Sequence, residues 1–106
     1  MGGDGRQLGD VGSRLILEND RVKVWELLLE PGERSPVHQH LHDYLLVIVE
    51  GNRIAAESEP ESEISYGERQ EARVRPGDVF YLNHGGIETA VNVGTTRYRE
   101  ILIELK

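Results

Sequence analysis

The sequence contains no cysteine, and only one methionine, one tryptophan and one phenylalanine among its 106 residues. Without cysteine there is no disulfide framework, no thiolate metal site and no cysteine nucleophile. Long hydrophobic runs are missing too: none approaches the roughly 20 apolar residues that a membrane span requires. The N-terminus shows no basic flank followed by an apolar segment, so no secretory leader is read and a cytoplasmic address is expected. Positive charge is scarce. The 12 Lys and Arg stand against 19 Asp and Glu, a formal net charge of −7. That balance excludes a sequence-independent nucleic-acid binder and disfavours docking on anionic lipid. With 38% hydrophobic and 29% charged residues, the chain has the composition of one folded domain. At this length it buries about 60–70% of its unfolded surface, enough for a single core.

Met1 to Gly12 is glycine-rich and without hydrophobic period. It reads as a flexible tail, taken as residues 1–13, because such composition does not repay the entropy of ordering. A single domain is expected over residues 14–106. Within it, short apolar runs alternate with turn signals. Val22 to Leu29 is rich in strand formers and stops at Glu30-Pro31-Gly32. Tyr44 to Val49 is nearly all apolar and closes at Glu50-Gly51-Asn52. Such a run implies burial on both faces, inside a sandwich or against a second subunit. Arg75-Pro76-Gly77-Asp78 turns into Val79 to Leu82, and Asn83-His84-Gly85-Gly86 separates that run from Ile87 to Val93. In Tyr98 to Leu105, alternation puts Arg99, Ile101, Ile103 and Leu105 on one face and Tyr98, Glu100, Leu102 and Glu104 on the other. No helical stripe is present, so the pattern predicts an all-β sandwich or barrel. Glycines 32, 51, 77 and 85 fall where turns need unusual φ. The acidic, proline-broken stretch from Glu57 to Glu71 reads as a solvated hairpin loop and not as a calcium site.

The four histidines sit in two places, His38, His40 and His42 in one and His84 in the other. On an extended backbone, a spacing of two puts His38, His40 and His42 on one face, with Cα atoms roughly 6–7 Å apart. Imidazoles at that separation can lean onto one ion at a metal–nitrogen distance of about 2.0–2.1 Å. The cluster follows a Pro-Gly turn and precedes the most apolar strand, which lifts it above a chance His-x-His. For His42 two readings stand side by side: a fourth ligand, or a residue at the barrel mouth before the strand begins. His84, in a glycine turn, reads as solvent-facing. Trp25, Phe80 and Tyr81 read as core or interface, with one of them lining a pocket. Arg97 and Arg99 read as solvated edge charge, with a carboxylate-binding rim as the alternative.

These positions resemble the cupin superfamily. The first cupin motif, G-x5-H-x-H-x3-E-x6-G, is matched by Gly32, His38, His40 and Gly51, with Tyr44 in the glutamate position. In the second, G-x5-P-x-G-x2-H-x3-N, Gly77, Gly85 and Asn92 match, while Asn83 replaces proline and Glu88 replaces histidine. The His-x-His-x-x-Asp-Tyr pattern and the Ile-Glu-Leu-Lys ending are further similar to a cupin subgroup associated with β-alanine degradation. The resemblance spans Leu15 to Leu105 and implies a double-stranded β-helix, the cupin jelly roll. It also implies a divalent metal (Fe(II), Zn, Mn or Ni) held by His38, His40 and Glu88. Two imidazoles and one carboxylate suit non-haem iron, zinc or manganese. A neutral phenol is a poor ligand, so Tyr44 is expected to hydrogen-bond a ligand or water. Tyr44 and His42 would donate or relay protons, with Glu88 as the site's carboxylate. Alternation on a strand with one wet face also accounts for Glu88 as a surface residue.

The expected function is a small metal-dependent enzyme acting on a small polar organic metabolite, reaction type open. A non-catalytic small-molecule-binding barrel and a metal-free acid/base enzyme are the alternatives. A homodimer is expected from the apolar Tyr44–Val49 strand and from the way cupins pair sheets. Neither nucleic acid nor membrane is expected as a partner.

Overall fold

The computed structural model of the chain describes residues 8–62 and 69–106. Nine strands run β1 (Arg14–Glu18), β2 (Val22–Leu29), β3 (His38–Gln39), β4 (Tyr44–Glu50), β5 (Arg53–Ser58), β6 (Gln70–Arg73), β7 (Val79–Leu82), β8 (Ile87–Asn92) and β9 (Tyr98–Leu105). They form two antiparallel sheets, one ordered β1-β2-β9-β4-β7 and the other β3-β8-β5-β6. No helix occurs among the described residues, so none there is long and apolar enough to cross a membrane. The all-β, two-sheet architecture is what the turn-punctuated strands predict, and the jelly roll is what the resemblance to cupins implies.

The turns form for the reasons the sequence carries. Positive φ occurs at Gly32, Gly51, Gly77 and Gly85, the four glycines read as turn positions. Gly51 has a second reason to lack a side chain. A Cβ there would lie 2.8 Å from Cδ1 of Tyr98, closer than real contacts permit. In the Arg75–Asp78 turn, the Asp78 carboxylate accepts from the Arg75 backbone at 2.9 Å, fixing the entry to β7.

The interior is packed between the sheets in two clusters. Leu27, Leu29, Ile48, Val74 and Tyr98 form one, and Val11, Trp25, Tyr44 and Leu102 the other. Val11 corrects the expectation of a tail reaching residue 13. It is buried, the Gly9 amide donates to the Val37 carbonyl at 2.8 Å, and Ser13 donates to Glu26 at 2.7 Å. Glycine composition conceals this, because Gly9 and Gly12 lie where added Cβ atoms would strike Pro36 and Trp25. Residues 1–7 lie outside the described residues. The acidic stretch is also shorter as a loop than expected. Glu57 and Ser58 end β5, and Gln70 and Glu71 begin β6. Arg69 bridges Glu57 and Glu71, and Arg53 pairs with Glu71, so the charges sit on strands. Residues 63–68 lie outside the described residues.

Asn92 closes one end of the barrel. Its side chain is fully buried and donates to the carbonyls of Leu29 and Thr96, both at 2.9 Å, while accepting from the Gly94 amide at 2.9 Å. One amide thereby satisfies three backbone groups from two connections. Asn92→Ala leaves those groups unpaired in a buried place and is expected to cost about 2–4 kcal/mol. Asn92→Asp, which turns a donor into an acceptor facing two carbonyls, costs more. Urea titration should show a lower midpoint with unchanged slope, and an unshifted midpoint would refute the role.

Candidate metal centre and cavity

β3 and β8 pair with His38 directly opposite Glu88, so the two side chains leave the sheet on one face. His40 continues the alternation beyond β3, tied by its amide to Gly86 and by its carbonyl to Gly85, both at 2.8 Å. His38, His40 and Glu88 each offer a ligand atom, and these atoms all lie within 4.8 Å of one another. Both histidines are buried. Their rings meet edge to face with centroids 4.9 Å apart, and Tyr44 stacks on His40 at 4.0 Å.

The hydrogen bonds decide which nitrogens are free. His38 Nδ1 lies 2.9 Å from the Pro36 carbonyl. A carbonyl only accepts, so Nδ1 carries the hydrogen and Nε2 keeps its lone pair. His40 Nε2 lies 2.9 Å from Glu88 Oε1, while His40 Nδ1 is buried without any hydrogen-bond partner. Burial, followed by the neighbouring His40, pushes the His38 pKa down, against the pull of Pro36 and Glu88. At Glu88, burial would raise the carboxyl. The hydrogen bond from His40, the charges of His40 and His38 and the Tyr44 hydroxyl together outweigh it, and its pKa is lowered. The result is a His38 ring held toward its neutral form and a Glu88 carboxyl held toward its ionised form, with His40 Nδ1 left over. Two His and one carboxylate with an anchored second nitrogen form a donor set that fits a divalent transition ion.

These groups open into a cavity of about 270 Å³. Its walls are mostly apolar, including Leu27, Leu46, Ile48, Ile54 and Leu102, with the aromatic rings of Tyr44, Phe80 and Tyr98. Among the described residues no lysine or arginine lines it. Glu100 does, from β9 on the sheet facing Glu88. This buried acid accepts from the Tyr98 hydroxyl, and burial pushes its pKa up to about 7, against the Tyr98 hydrogen bond and with help from Glu88.

Of the residues singled out in the sequence, His38, His40, Glu88 and Tyr44 come together. Tyr44 turns its hydroxyl to Glu88. His42 is half-buried at a bend before β4, outside both the cavity wall and the three-ligand group. The alternation that would align it with His40 breaks at this bend, so His42 takes the second of its two readings, a residue placed before the strand begins. His84 is exposed and bonds Asp43 through Nδ1 at 2.7 Å. Phe80 is the aromatic at the cavity; Trp25 lies in the core, giving Nε1–H to Glu104 at 2.6 Å, and Tyr81 faces out, its hydroxyl on Asp43. Arg97 and Arg99 pair with Glu30 and Glu26 outside the cavity. Glu100 and Tyr98 were not foreseen. The signal was the β9 alternation, which groups Tyr98, Glu100, Leu102 and Glu104 on one face without saying that this face looks inward.

No protein-family profile matches the chain. It is 26% identical over 83 residues to the auxin-binding protein T85 of Nicotiana tabacum, a match covering 77% of this chain and 44% of that protein's length. Among solved structures, a cupin domain from Bordetella pertussis Tohama I superposes with a TM-score of 0.72 at 24% identity, covering 92% of this chain and 99% of that one. An RmlC-like cupin with a double-stranded β-helix from Methanocaldococcus jannaschii gives 0.62 at 14% identity, over 92% and 93% of the two chains.

A buried acid whose pKa is raised in the folded state favours folding below its unfolded value and loses that contribution as pH climbs through the folded one. For Glu100 the window runs from about 4.5 to about 7. Relative to acid conditions, Glu100→Gln should gain on the order of 3 kcal/mol over the native chain by the alkaline end of that window. Urea unfolding across the range checks this, and parallel profiles would refute it.

Proposed function

We propose that this chain, whose fold is that of the cupins, holds a divalent transition metal through His38, His40 and Glu88 and acts on a small organic molecule in the adjoining cavity. The observation that carries the reading is the arrangement of nitrogens. Pro36 fixes the His38 tautomer that leaves Nε2 available, and His40 keeps a buried nitrogen with no partner. His38, His40 and Glu88 would hold the ion, which when bound would supply Lewis acidity toward a water or a substrate oxygen. The protein's own part is to orient and exclude. Tyr44 holds the His40 ring by stacking and the Glu88 carboxylate by its hydroxyl, while the aliphatic walls displace water. The polar metabolite expected from sequence is thereby narrowed to one with an apolar body. That the tobacco relative is named for binding auxin supports a small-ligand cavity here. A cytoplasmic setting belongs to the same reading.

Zinc, iron(II) and manganese titrated calorimetrically should bind the native chain with one ion per chain. His38→Ala, His40→Ala and Glu88→Gln should each weaken the best of them by roughly a hundredfold or more, since even supporting groups are worth tenfold to a hundredfold. Failure of all three ions to bind would overturn the metal reading.

A homodimer completes the proposal, and it is supported by the outer face of the five-stranded sheet. One cross-strand row runs Leu17, Val24, Ile103, Leu45 and Tyr81, and the next Arg14, Glu26, Ile101, Val47 and Val79. Leu17 is 51% exposed and Val79 and Tyr81 are 59% exposed, while Leu45 and Val47 between them are half-buried. Glu26, within the second row, is already satisfied by Arg14 and Arg99. A face this apolar is what a partner surface requires. Light scattering should return a dimer at micromolar concentration, and Val47→Asp a folded monomer. A native monomer would refute the interface.

A further inference from the structure

Two carboxyl groups enter one cavity from opposite sheets, Glu88 from β8 and Glu100 from β9. Their surroundings differ. Glu88 belongs to the group of possible metal ligands, whereas Glu100 lies outside it. Across the strands, the residues opposite Glu100 are Leu27 on β2 and Ile48 on β4, both apolar and buried. On β9 itself the Tyr98 hydroxyl donates to Oε1, which leaves Oε2 for another partner. The remaining titratable groups of the cavity are His38, His40, Tyr44 and Glu88. None brings a fixed positive charge like that of lysine or arginine. The arginines flanking Glu100 in sequence are engaged on the outside instead, Arg97 with Glu30 and Arg99 with Glu26.

A buried carboxyl without a cation keeps its proton or waits for one to arrive. An organic ammonium answers that need and also suits the walls. Its charge meets a carboxylate and the faces of Tyr44, Phe80 or Tyr98, and its hydrocarbon part meets leucine and isoleucine. A carboxylate ligand, in contrast, is repelled by Glu88 and adds a second unmatched charge beside Glu100.

We propose that the cavity takes a small organic amine on an apolar body, its ammonium received by the Glu100 carboxylate that Tyr98 holds in place. This names the ligand class of the cavity described above; it rests on that cavity being the ligand site and is independent of the metal. Because Glu100 is pushed up to about 7, binding an ammonium below that pH displaces its proton to solvent.

The experiment compares three probes of one shape, benzylamine, benzyl alcohol and benzoate, by calorimetry on the full chain, chelator-treated and zinc-loaded. In the chelator-treated protein, benzylamine should bind at least about tenfold more tightly than benzyl alcohol, and benzoate more weakly than either. Near pH 6, amine binding should release close to one proton, read from the dependence of the heat on buffer; near pH 8 the release should vanish. Glu100→Gln, a near-isosteric change, should remove both the amine preference and the proton release while leaving zinc affinity unchanged. Tyr98→Phe should weaken the preference without abolishing it. Binding of benzoate as tight as that of benzylamine in the chelated protein, an amine preference that survives in Glu100→Gln, or no binding of any probe would each overturn the proposal. Loss of zinc binding with the amine preference intact would remove the metal reading alone.

Discussion

A carboxylate enclosed by hydrocarbon stays ionised only if donors or cations meet it, and the interior of this barrel is organised by how its acids satisfy that demand. Glu88 is met by His40 and by the Tyr44 hydroxyl. Glu104 is met by the indole of Trp25. Glu100 has the Tyr98 hydroxyl and no positive neighbour. Glu88 and Glu100 mark two extremes, a carboxylate matched by its donors and an acid that burial pushes up to about 7 with no cation beside it. The candidate metal-ligand group and the acid of the cavity are two consequences of the same economy of donors.

The separation of the two sheets divides the labour. β3 and β8 of the smaller sheet supply His38 and Glu88, and His40 follows β3. β4 and β9 of the larger sheet supply Tyr44, Tyr98 and Glu100. A molecule between the sheets therefore touches imidazole and carboxylate on one side and phenol and carboxyl on the other. The larger sheet accommodates polar groups inside by presenting Ile101, Ile103 and Leu105 outward.

Much of this was legible in the residues. Strand-forming runs closed by Pro-Gly and Gly turns located β2, β4, β7, β8 and β9, because turn chemistry and period-two patterning are local properties. The four positive-φ glycines were legible for the same reason. His38 and His40 were found through spacing, since spacing along strands translates directly into facing, whereas Glu88 came only through the resemblance to the second cupin motif. His42 stayed between two readings because a bend without glycine or proline leaves no mark in composition, and only the fold shows that the alternation stops there. Val11 escaped because a single apolar residue among glycines carries no period. Glu100 escaped because alternation sorts β9 into two faces without saying which looks inward, and the cavity that sets the facing is a tertiary feature.

Gly51 links the periphery to this interior. The turn between β4 and β5 lies against the ring of Tyr98, with no room for even a methyl group between them, and that phenol in turn steadies Glu100. Loop grafting at this hairpin is consequently not neutral to the chemistry inside. A transplanted turn bearing any side chain at that point would act as a wedge, displacing the phenol and reaching the acid from outside the barrel.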